Sequence, residues 1–271
     1  MGIREIQAKG ILQKSRLPGI EYVINPYTGC VHGCVYCYAA FMKRFTDHPE
    51  PWGSFLDAKS NAPQLLERQL TRRRRPLTEC VLLSSVTDPY QPPERTIGLT
   101  RKILEVLARH GVPVEILTKS DLVLRDADLL GCAPAATVGL SLGTTDDGWA
   151  QLLEPRAAPP SRRLAALAAL RERGIRTYAF ISPYIPGLSD IRRIVDALYG
   201  ITDSFAVEAI NTAAGSWNRT LEAIARRDPS VAETAKHCAA DSAYWRDVAA
   251  RAGSESERTG MRMTGFYRHK N

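Results

Sequence analysis

Residues 29–38 read GCVHGCVYCY and directly follow EYVINPY (21–27), an apolar stretch that predicts a short strand. The loop carries Cys30, Cys34 and Cys37, three of the six cysteines in this chain of 271 residues. Six cysteines are too few for a disulfide framework at this length, and the first residues lack the apolar core of an export signal. We therefore expect a reducing, cytoplasmic setting, in which clustered thiols indicate metal ligands or a catalytic site.

Five more apolar strand candidates follow the loop, and helical patterns separate them. They are ECVLLSS (79–85), VPVEILTKS (112–120), ATVGLSLGT (136–144), IRTYAFISPY (175–184) and SFAVEAIN (204–211). Continuous apolar strands that alternate with helices predict a parallel sheet covered by helices, either an open doubly wound sheet or a partial barrel. No GxGxxG motif follows the first strand, which disfavours a dinucleotide-binding sheet.

The last part of the chain, 211–271, shows helical patterns and no strand pattern. We expect it to form a C-terminal helical extension packed on residues 1–210, as one structural unit. The composition is that of a globular protein, with 44% hydrophobic and 24% charged residues, and no apolar stretch is long enough for a membrane span. We therefore expect no membrane partner.

The net charge is +7 and the isoelectric point is about 9.2, which permits nucleic-acid binding without requiring it. The densest positive run is Arg72 to Arg75, followed by Pro76. Cations at a helix end with a proline after them are typical of a solvated helix terminus. A phosphate-binding patch is the alternative interpretation.

Three thiols at this spacing allow several kinds of site. Structural zinc usually has four ligands, and the remaining cysteines, Cys80, Cys132 and Cys238, are isolated. His32 as a fourth ligand would strain a tetrahedral site, and a disulfide would leave one thiol over. A [4Fe–4S] cluster with three thiolates leaves one iron open for a ligand, and polar residues, prolines and glycines follow the other predicted strands, where α/β barrels place their sites.

The motif CxxxCxxC, with the aromatic Tyr36 just before the third cysteine, resembles the signature of the radical S-adenosylmethionine (SAM) superfamily. Over residues 20–210 the chain also resembles the spore photoproduct lyase-like branch of that superfamily. The segments that carry this resemblance are NPYTGCVHGCVYCYA, TDPYQPPE, LTKSDLVLRDADLL, LEPRAAPPSRRLAAL and SPYIPGLSD.

The resemblance implies an α/β fold, a partial (βα)6 TIM-type barrel, with Cys30, Cys34 and Cys37 as ligands of a [4Fe–4S] cluster. It also implies reductive cleavage of S-adenosylmethionine, with one electron from a donor such as flavodoxin or ferredoxin, to a 5′-deoxyadenosyl radical that takes hydrogen from a substrate. The implied cofactor-binding residues are Tyr36 near the adenine, Ser84, Ser85, Thr87 and Asp88 at the amino group, Lys119 at the carboxylate or ribose, Ser141 at the ribose and Arg156 at the carboxylate.

Several of these residues have a structural alternative. Tyr36 could simply pack in its loop, Asp88 before Pro89 suits a turn, and Arg156 could pair with Glu154. Tyr90, Tyr184, Glu208 and Asn211 are expected at the barrel mouth as substrate contacts. Tyr184 or Tyr90 could relay a hydrogen atom, although a ring at such a place is often there for packing.

The sequence departs from spore photoproduct lyases at the end of the second strand. That family places there a cysteine that returns a hydrogen atom to the product radical, whereas this chain has Ser84 and Ser85. A serine O–H bond is too strong for that role. Cys80 lies four residues earlier, about 13 Å away along a strand.

Three functions follow from these observations. The favoured one is a radical SAM enzyme acting on a small molecule, such as a nucleoside, sugar or natural-product intermediate. A lyase-like repair of a nucleic-acid lesion is supported by the basic charge and disfavoured by the absent cysteine. A non-enzymatic iron–sulfur protein is the third, and the polar residues at the other strand ends argue against it.

Overall fold

The computed structural model describes residues 2–269. The strands are β1 Gly2–Ile6, β2 Leu12–Lys14, β3 Tyr22–Ile24, β4 Tyr27–Thr28, β5 Phe55–Lys59, β6 Val81–Leu83, β7 Val114–Thr118, β8 Thr137–Ser141, β9 Arg176–Tyr184, β10 Ser204–Ala209 and β11 Arg262–Tyr267. The α-helices are α1 Ala62–Thr71, α2 Glu94–Ile97, α3 Leu99–Arg109, α4 Ala127–Cys132, α5 Asp147–Leu153, α6 Pro160–Glu172, α7 Ile191–Leu198, α8 Trp217–Arg227, α9 Pro229–Ala240 and α10 Ser242–Thr259. Two 3-10 helices cover Tyr38–Phe45 and Asp121–Asp126.

The main sheet has eight strands in the order β11-β10-β9-β8-β7-β6-β3-β2. Every neighbouring pair is parallel except β2 with β3. The six strands predicted from the sequence are β3, β6, β7, β8, β9 and β10, and they lie side by side in chain order. The predicted α/β fold with a mostly parallel sheet is confirmed, and the carboxyl ends of these strands share one edge.

The prediction that the C-terminal region has no strand is wrong. Strand β11 pairs in parallel with β10, with Ser204 opposite Arg262 and Glu208 opposite Tyr267. It is an edge strand whose residues are mostly exposed or half-buried, so it lacks the continuous apolar run by which the inner strands were recognised. A second sheet, β1-β5-β4, was also not predicted, because its strands are short and distant in sequence.

Helices α1 and α3 pack on one half of the sheet because their apolar residues recur at helical spacing. Ile103 and Leu107 of α3 are buried in one cluster with Val81 and Ile116 of the neighbouring strands. A second cluster covers the other half, where α7 and α10 bury their apolar faces around Trp245. These two clusters of buried side chains hold the strands in place, and the strands in turn position the loops at their carboxyl ends.

None of the helices in residues 2–269 is both long and apolar enough to cross a membrane.

Candidate functional site

A cavity of about 360 Å³ lies at the carboxyl edge of the main sheet. The cysteine loop forms one side, and the ends of β9 and β10 form the other. The predicted site residues that line it are Cys30, Cys34, Tyr36, Cys37, Ser84, Ser85, Thr87, Asp88, Lys119 and Ser141. Glu208 and Asn211, expected at the mouth, also line it.

The cysteine loop enters the site through a tight approach at Gly29. Its φ is +89°, and a Cβ there would lie 2.5 Å from the carbonyl oxygen of Phe55. The hydroxyl of Thr87 donates to the Gly29 carbonyl at 2.5 Å, and the Val31 amide donates to the side-chain oxygen of Gln91 at 2.8 Å. The residues after β6 therefore hold the start of the loop.

We expect Gly29→Ala to destabilise the protein by about 1–3 kcal/mol, because the left-handed backbone is strained for alanine and the new Cβ meets a fixed carbonyl. Iron loading should fall as well. The matched control is Gly19→Ala, where φ is +75° and no atom lies within 4 Å of the added Cβ. Urea unfolding and iron content compare the two; equal losses in both variants would show that backbone strain alone is responsible.

Arg156 does not line the cavity, so the expectation that it binds the cofactor carboxylate needs correction. Its guanidinium donates to the carbonyl oxygens of Val31 and Gly53. Its backbone amide donates to the carbonyl of His32 at 3.3 Å, and its own carbonyl lies 3.1 Å from His32 Nδ1. The LEPR segment therefore clamps the backbone of the cysteine loop.

Glu154 pairs with Arg163 and not with Arg156, which corrects the alternative raised for that arginine. Both side chains are buried, and the Tyr36 hydroxyl donates to the same carboxylate. Burial alone would raise the pKa of Glu154, but the Arg163 guanidinium and the Lys119 ammonium hold it below its usual value. The carboxylate of the buried Glu154–Arg163 pair thus holds the hydroxyl of Tyr36, while the ring of Tyr36 borders the cavity. Lys119 Nζ lies 5.7 Å from the centroid of this ring.

Asp88 ties together the ends of β6 and β7. Its carboxylate accepts from the Thr118 hydroxyl at 2.6 Å and from the backbone amides of Tyr90 and Lys119 at 2.8 Å. His32 Nε2 lies 3.2 Å from the same group. Burial alone would raise the pKa of Asp88, but His32 and these donors lower it to about 2. The carboxylate therefore organises the cavity floor as a stable anion.

The Ser84 hydroxyl is buried at the cavity and has no hydrogen-bond partner among residues 2–269. Buried polar groups are normally paired, so this hydroxyl is suited to a polar group of a bound ligand. Ser85 is instead held through Asn25, whose side-chain oxygen accepts from the Ser85 amide at 2.9 Å. A ligand with polar groups fits this part of the cavity.

Tyr90 and Tyr184 do not reach the cavity, so their expected place at the barrel mouth needs correction. Tyr90 is fully buried and its hydroxyl donates to Asp126 at 3.0 Å. Tyr184 is buried against Trp245, with ring centroids 6.1 Å apart. Both rings belong to the layer between sheet and helices and leave no surface for a substrate.

Ser182 and His269 also line the cavity and were not among the predicted site residues. Ser182 donates to Glu208 Oε2 at 2.6 Å, and His269 Nε2 lies 3.4 Å from Glu208 Oε1. His269 follows β11, so its approach depends on the strand that the sequence did not reveal. The hydrogen bond to Glu208 raises the pKa of His269 above its ordinary value of 6.5.

Among residues 2–269 no three His, Cys, Asp or Glu side chains converge as ligands of one metal ion. A cluster in which each thiolate binds a different iron does not need such convergence. The three free thiols border one cavity, and Lys119 and the open Ser84 hydroxyl border it too. The residues therefore fit an iron–sulfur cluster with a polar ligand beside it.

The profile of the Radical SAM superfamily matches residues 24–198. An uncharacterized protein of Methanocaldococcus jannaschii is 37% identical over 209 residues, which cover 77% of this chain and 78% of that protein. The radical SAM Nα-GlyT isomerase of Pseudomonas phage M6 is 26% identical over 197 residues, 71% of this chain and 40% of that protein. The chain therefore belongs to the radical SAM superfamily, whose enzymes use a [4Fe–4S] cluster and S-adenosylmethionine.

Spore photoproduct lyase and SuiB are among the solved structures that share the fold. Spore photoproduct lyase complexed with dinucleoside spore photoproduct superposes with a TM-score of 0.63 at 14% identity, over 98% of this chain and 82% of that one. Streptococcus suis SuiB bound to the precursor peptide SuiA gives a TM-score of 0.61 at 17% identity, over 92% of this chain and 48% of that one. The predicted likeness to spore photoproduct lyase is thus confirmed for the fold.

Proposed function

We propose that this enzyme abstracts a hydrogen atom from a small-molecule substrate, such as a nucleoside, sugar or natural-product intermediate, bound beside S-adenosylmethionine in the cavity. The observation that carries the proposal is that two opposite sides of the cavity have different chemistry. Three thiols border one side, and a polar wall of Ser182, Glu208 and His269 borders the other. The open sheet would curve around this cavity as a partial barrel.

In this proposal Cys30, Cys34 and Cys37 ligate the cluster. Ser84, Lys119 and Ser141 hold polar groups of S-adenosylmethionine, while Ser85, Thr87 and Asp88 fix the strand ends around it. When bound and given one electron by an external reductant, the two cofactors would supply methionine and a 5′-deoxyadenosyl radical able to take a hydrogen atom from the substrate. The Tyr36 ring and the buried Glu154–Arg163 pair beneath it close that side of the cavity to water.

The size of the cavity supports a small substrate. A volume of about 360 Å³ lies at the low end of the range for small-molecule sites. The cluster and S-adenosylmethionine would fill most of this volume, so only a small molecule, or a small part of a larger one, fits beside them. The isomerase name of the phage relative adds that a rearrangement of the substrate is within the chemistry of this group of sequences.

Lyase-like action on a nucleic-acid lesion is the second candidate, supported by the net charge of +7. Two observations disfavour it. The cysteines that line the cavity are Cys30, Cys34 and Cys37, so no further thiol of residues 2–269 stands there to return hydrogen. The run Arg72 to Arg75 lies between α1 and the start of β6, at the amino ends of the strands, whereas the cavity lies at their carboxyl ends.

A binding experiment with an isotope arm tests the proposal. Double- and single-stranded DNA, intact and ultraviolet-irradiated, would be titrated at several salt concentrations, since phosphate contacts weaken steeply with salt. In parallel, deuterated nucleosides and sugars would be incubated with the loaded enzyme. Deuterium in 5′-deoxyadenosine from a free small molecule supports the proposal; transfer only from irradiated DNA, with steep salt dependence, favours repair and contradicts it.

The polar wall gives a pH-dependent prediction. Because Glu208 raises the pKa of His269, the pair contributes stability that is fully present below pH 6.5 and is lost as the pH rises through the raised value. Glu208→Gln should lower the pKa of His269 toward 6.5. NMR titration of His269 in the wild type and in this variant measures the change. An unchanged His269 titration would contradict the pairing.

A further inference from the structure

The 3-10 helix Tyr38–Phe45 begins directly after Cys37, the third cysteine of the loop. Seven large hydrophobic side chains of residues 2–269 are exposed, and three of them lie in this one segment. Tyr38 is 51% exposed, Phe41 46% and Phe45 66%. Large aromatic rings are costly to leave in water, so such a group on one short helix indicates a surface that another molecule covers.

Cations are built into the same surface. The Arg44 guanidinium lies 5.4 Å from the centroid of the Phe41 ring and 4.7 Å from that of Phe45. Lys43 is its neighbour, and the helix contains no carboxylate. Aromatic rings and arginine are the side chains enriched at protein interfaces, and positive charge selects an acidic partner. We call Tyr38, Phe41, Lys43, Arg44 and Phe45 the aromatic–basic patch.

The patch is also close to the cysteine loop. A 3-10 helix rises about 2 Å per residue, so Phe41 lies about 8 Å and Phe45 about 16 Å along the axis from Cys37. Tyr38 borders the cavity and donates to the carbonyl of Ser85, which ties the first turn to the site. Phe41, Arg44 and Phe45 are exposed, whereas Lys43 is half-buried and its ammonium donates to the carbonyl of Pro49 at 3.2 Å. A molecule bound there would sit over Cys37 while leaving the cavity to cofactor and substrate.

We propose that the aromatic–basic patch is the docking surface for a small acidic one-electron carrier protein, of the flavodoxin or ferredoxin kind, which reduces the cluster through the Cys37 side. This rests on the proposed function, because it takes Cys37 as a cluster ligand. The carrier gives up one electron and is itself oxidised by one electron. A patch of five residues suits the small interfaces of transient redox encounters.

A nucleic acid is the other class of partner that aromatic and basic residues can bind. It fits this patch less well, because single strands follow a charged groove and the patch offers two cations. The densest positive run, Arg72 to Arg75, lies at the amino ends of the strands, so it cannot extend the aromatic–basic patch into a longer charged groove. A compact acidic protein needs only a local match of charge and apolar surface.

The test uses the reconstituted enzyme and measures the rate of cluster reduction by stopped-flow absorbance, without S-adenosylmethionine. Lys43→Glu with Arg44→Glu is the variant. Arg74→Glu with Arg75→Glu is the matched control, because it changes the charge equally at exposed positions. The reductants are flavodoxin in its reduced form and dithionite, which is small and needs no docking surface.

We expect reduction by flavodoxin to slow by about 10-fold or more in the patch variant at low salt, and by much less in the control. Reduction by dithionite should be equal in all three proteins. Phe45→Ser, which keeps both cations, should also slow the flavodoxin reaction, with less salt dependence. Equal flavodoxin rates in variant and control would overturn the proposal, as would a patch variant that loses only single-stranded DNA binding.

This readout is separate from the proposed function. If dithionite reduces the cluster but S-adenosylmethionine is not cleaved in any of the proteins, the proposed function fails, while the rates with flavodoxin still decide the docking surface. If cleavage proceeds with dithionite and the flavodoxin rates do not respond to the patch, only the docking surface is wrong.

Discussion

Cys34→Ala is expected to abolish cluster assembly and with it all cleavage of S-adenosylmethionine. Substitution of residues that merely support metal ligands already costs about 10–100-fold in affinity or activity, so removal of a ligand should exceed that range. Cys34 borders the cavity between Cys30 and Cys37 on the same loop, and no other cysteine lines that cavity in residues 2–269. No nearby thiol is available to replace it.

Cys238→Ala is the matched control, since Cys238 belongs to α9 and does not line the cavity. It should keep wild-type iron content and activity. Iron and sulfide analysis with visible absorption measures assembly, and chromatography of 5′-deoxyadenosine measures cleavage. A Cys34→Ala protein with full iron content and full cleavage would exclude the loop as the cluster site.

Arg163→Met is expected to destabilise the protein strongly, because it breaks the buried pair with Glu154. The side chain of Arg163 is 1% exposed and its partner Glu154 is 5% exposed. Removal of one member of a buried pair leaves the other charge without compensation, at a cost of about 3–5 kcal/mol. Because Glu154 also holds Tyr36, iron loading should fall with stability.

The neighbouring residue provides the control for this prediction. Arg162 pairs with Asp121 at the surface and is 58% exposed, so Arg162→Met should cost about 0–1 kcal/mol. The double variant Glu154→Leu with Arg163→Met removes both buried charges and should regain much of the loss. Urea unfolding of the metal-free proteins measures all three. Similar midpoints for Arg162→Met and Arg163→Met would show that the buried pair does not carry the stability.

The inner strands of the fold could be predicted from sequence because each is a continuous apolar run between helical patterns. Strand β11 could not, because an edge strand is covered on one side only and needs few apolar residues. Strands β1 and β5 are more than fifty residues apart in sequence and are not joined by a hairpin turn. No local sequence pattern therefore predicts the small sheet.

Some residues of the candidate site could likewise be predicted from the sequence, and others could not. Residues inside motifs, such as Cys34 and Ser84, line the cavity, because motif spacing and the strand ends determine where they lie. The roles of Arg156 and Tyr184 depend on which way a side chain turns at the end of its element, and the packing around it decides that. His269 lies beside Glu208 because β11, the strand just before it, pairs with β10.

Radical cleavage of S-adenosylmethionine at the cysteine loop is the property on which the proposed function rests. Its most direct test is anaerobic incubation of the iron- and sulfide-reconstituted enzyme with S-adenosylmethionine and dithionite, followed by chromatography. We expect about four irons per chain, and 5′-deoxyadenosine that forms only when the reconstituted enzyme, S-adenosylmethionine and dithionite are all present. Tight binding of zinc in place of iron, with no 5′-deoxyadenosine under any condition, would contradict it.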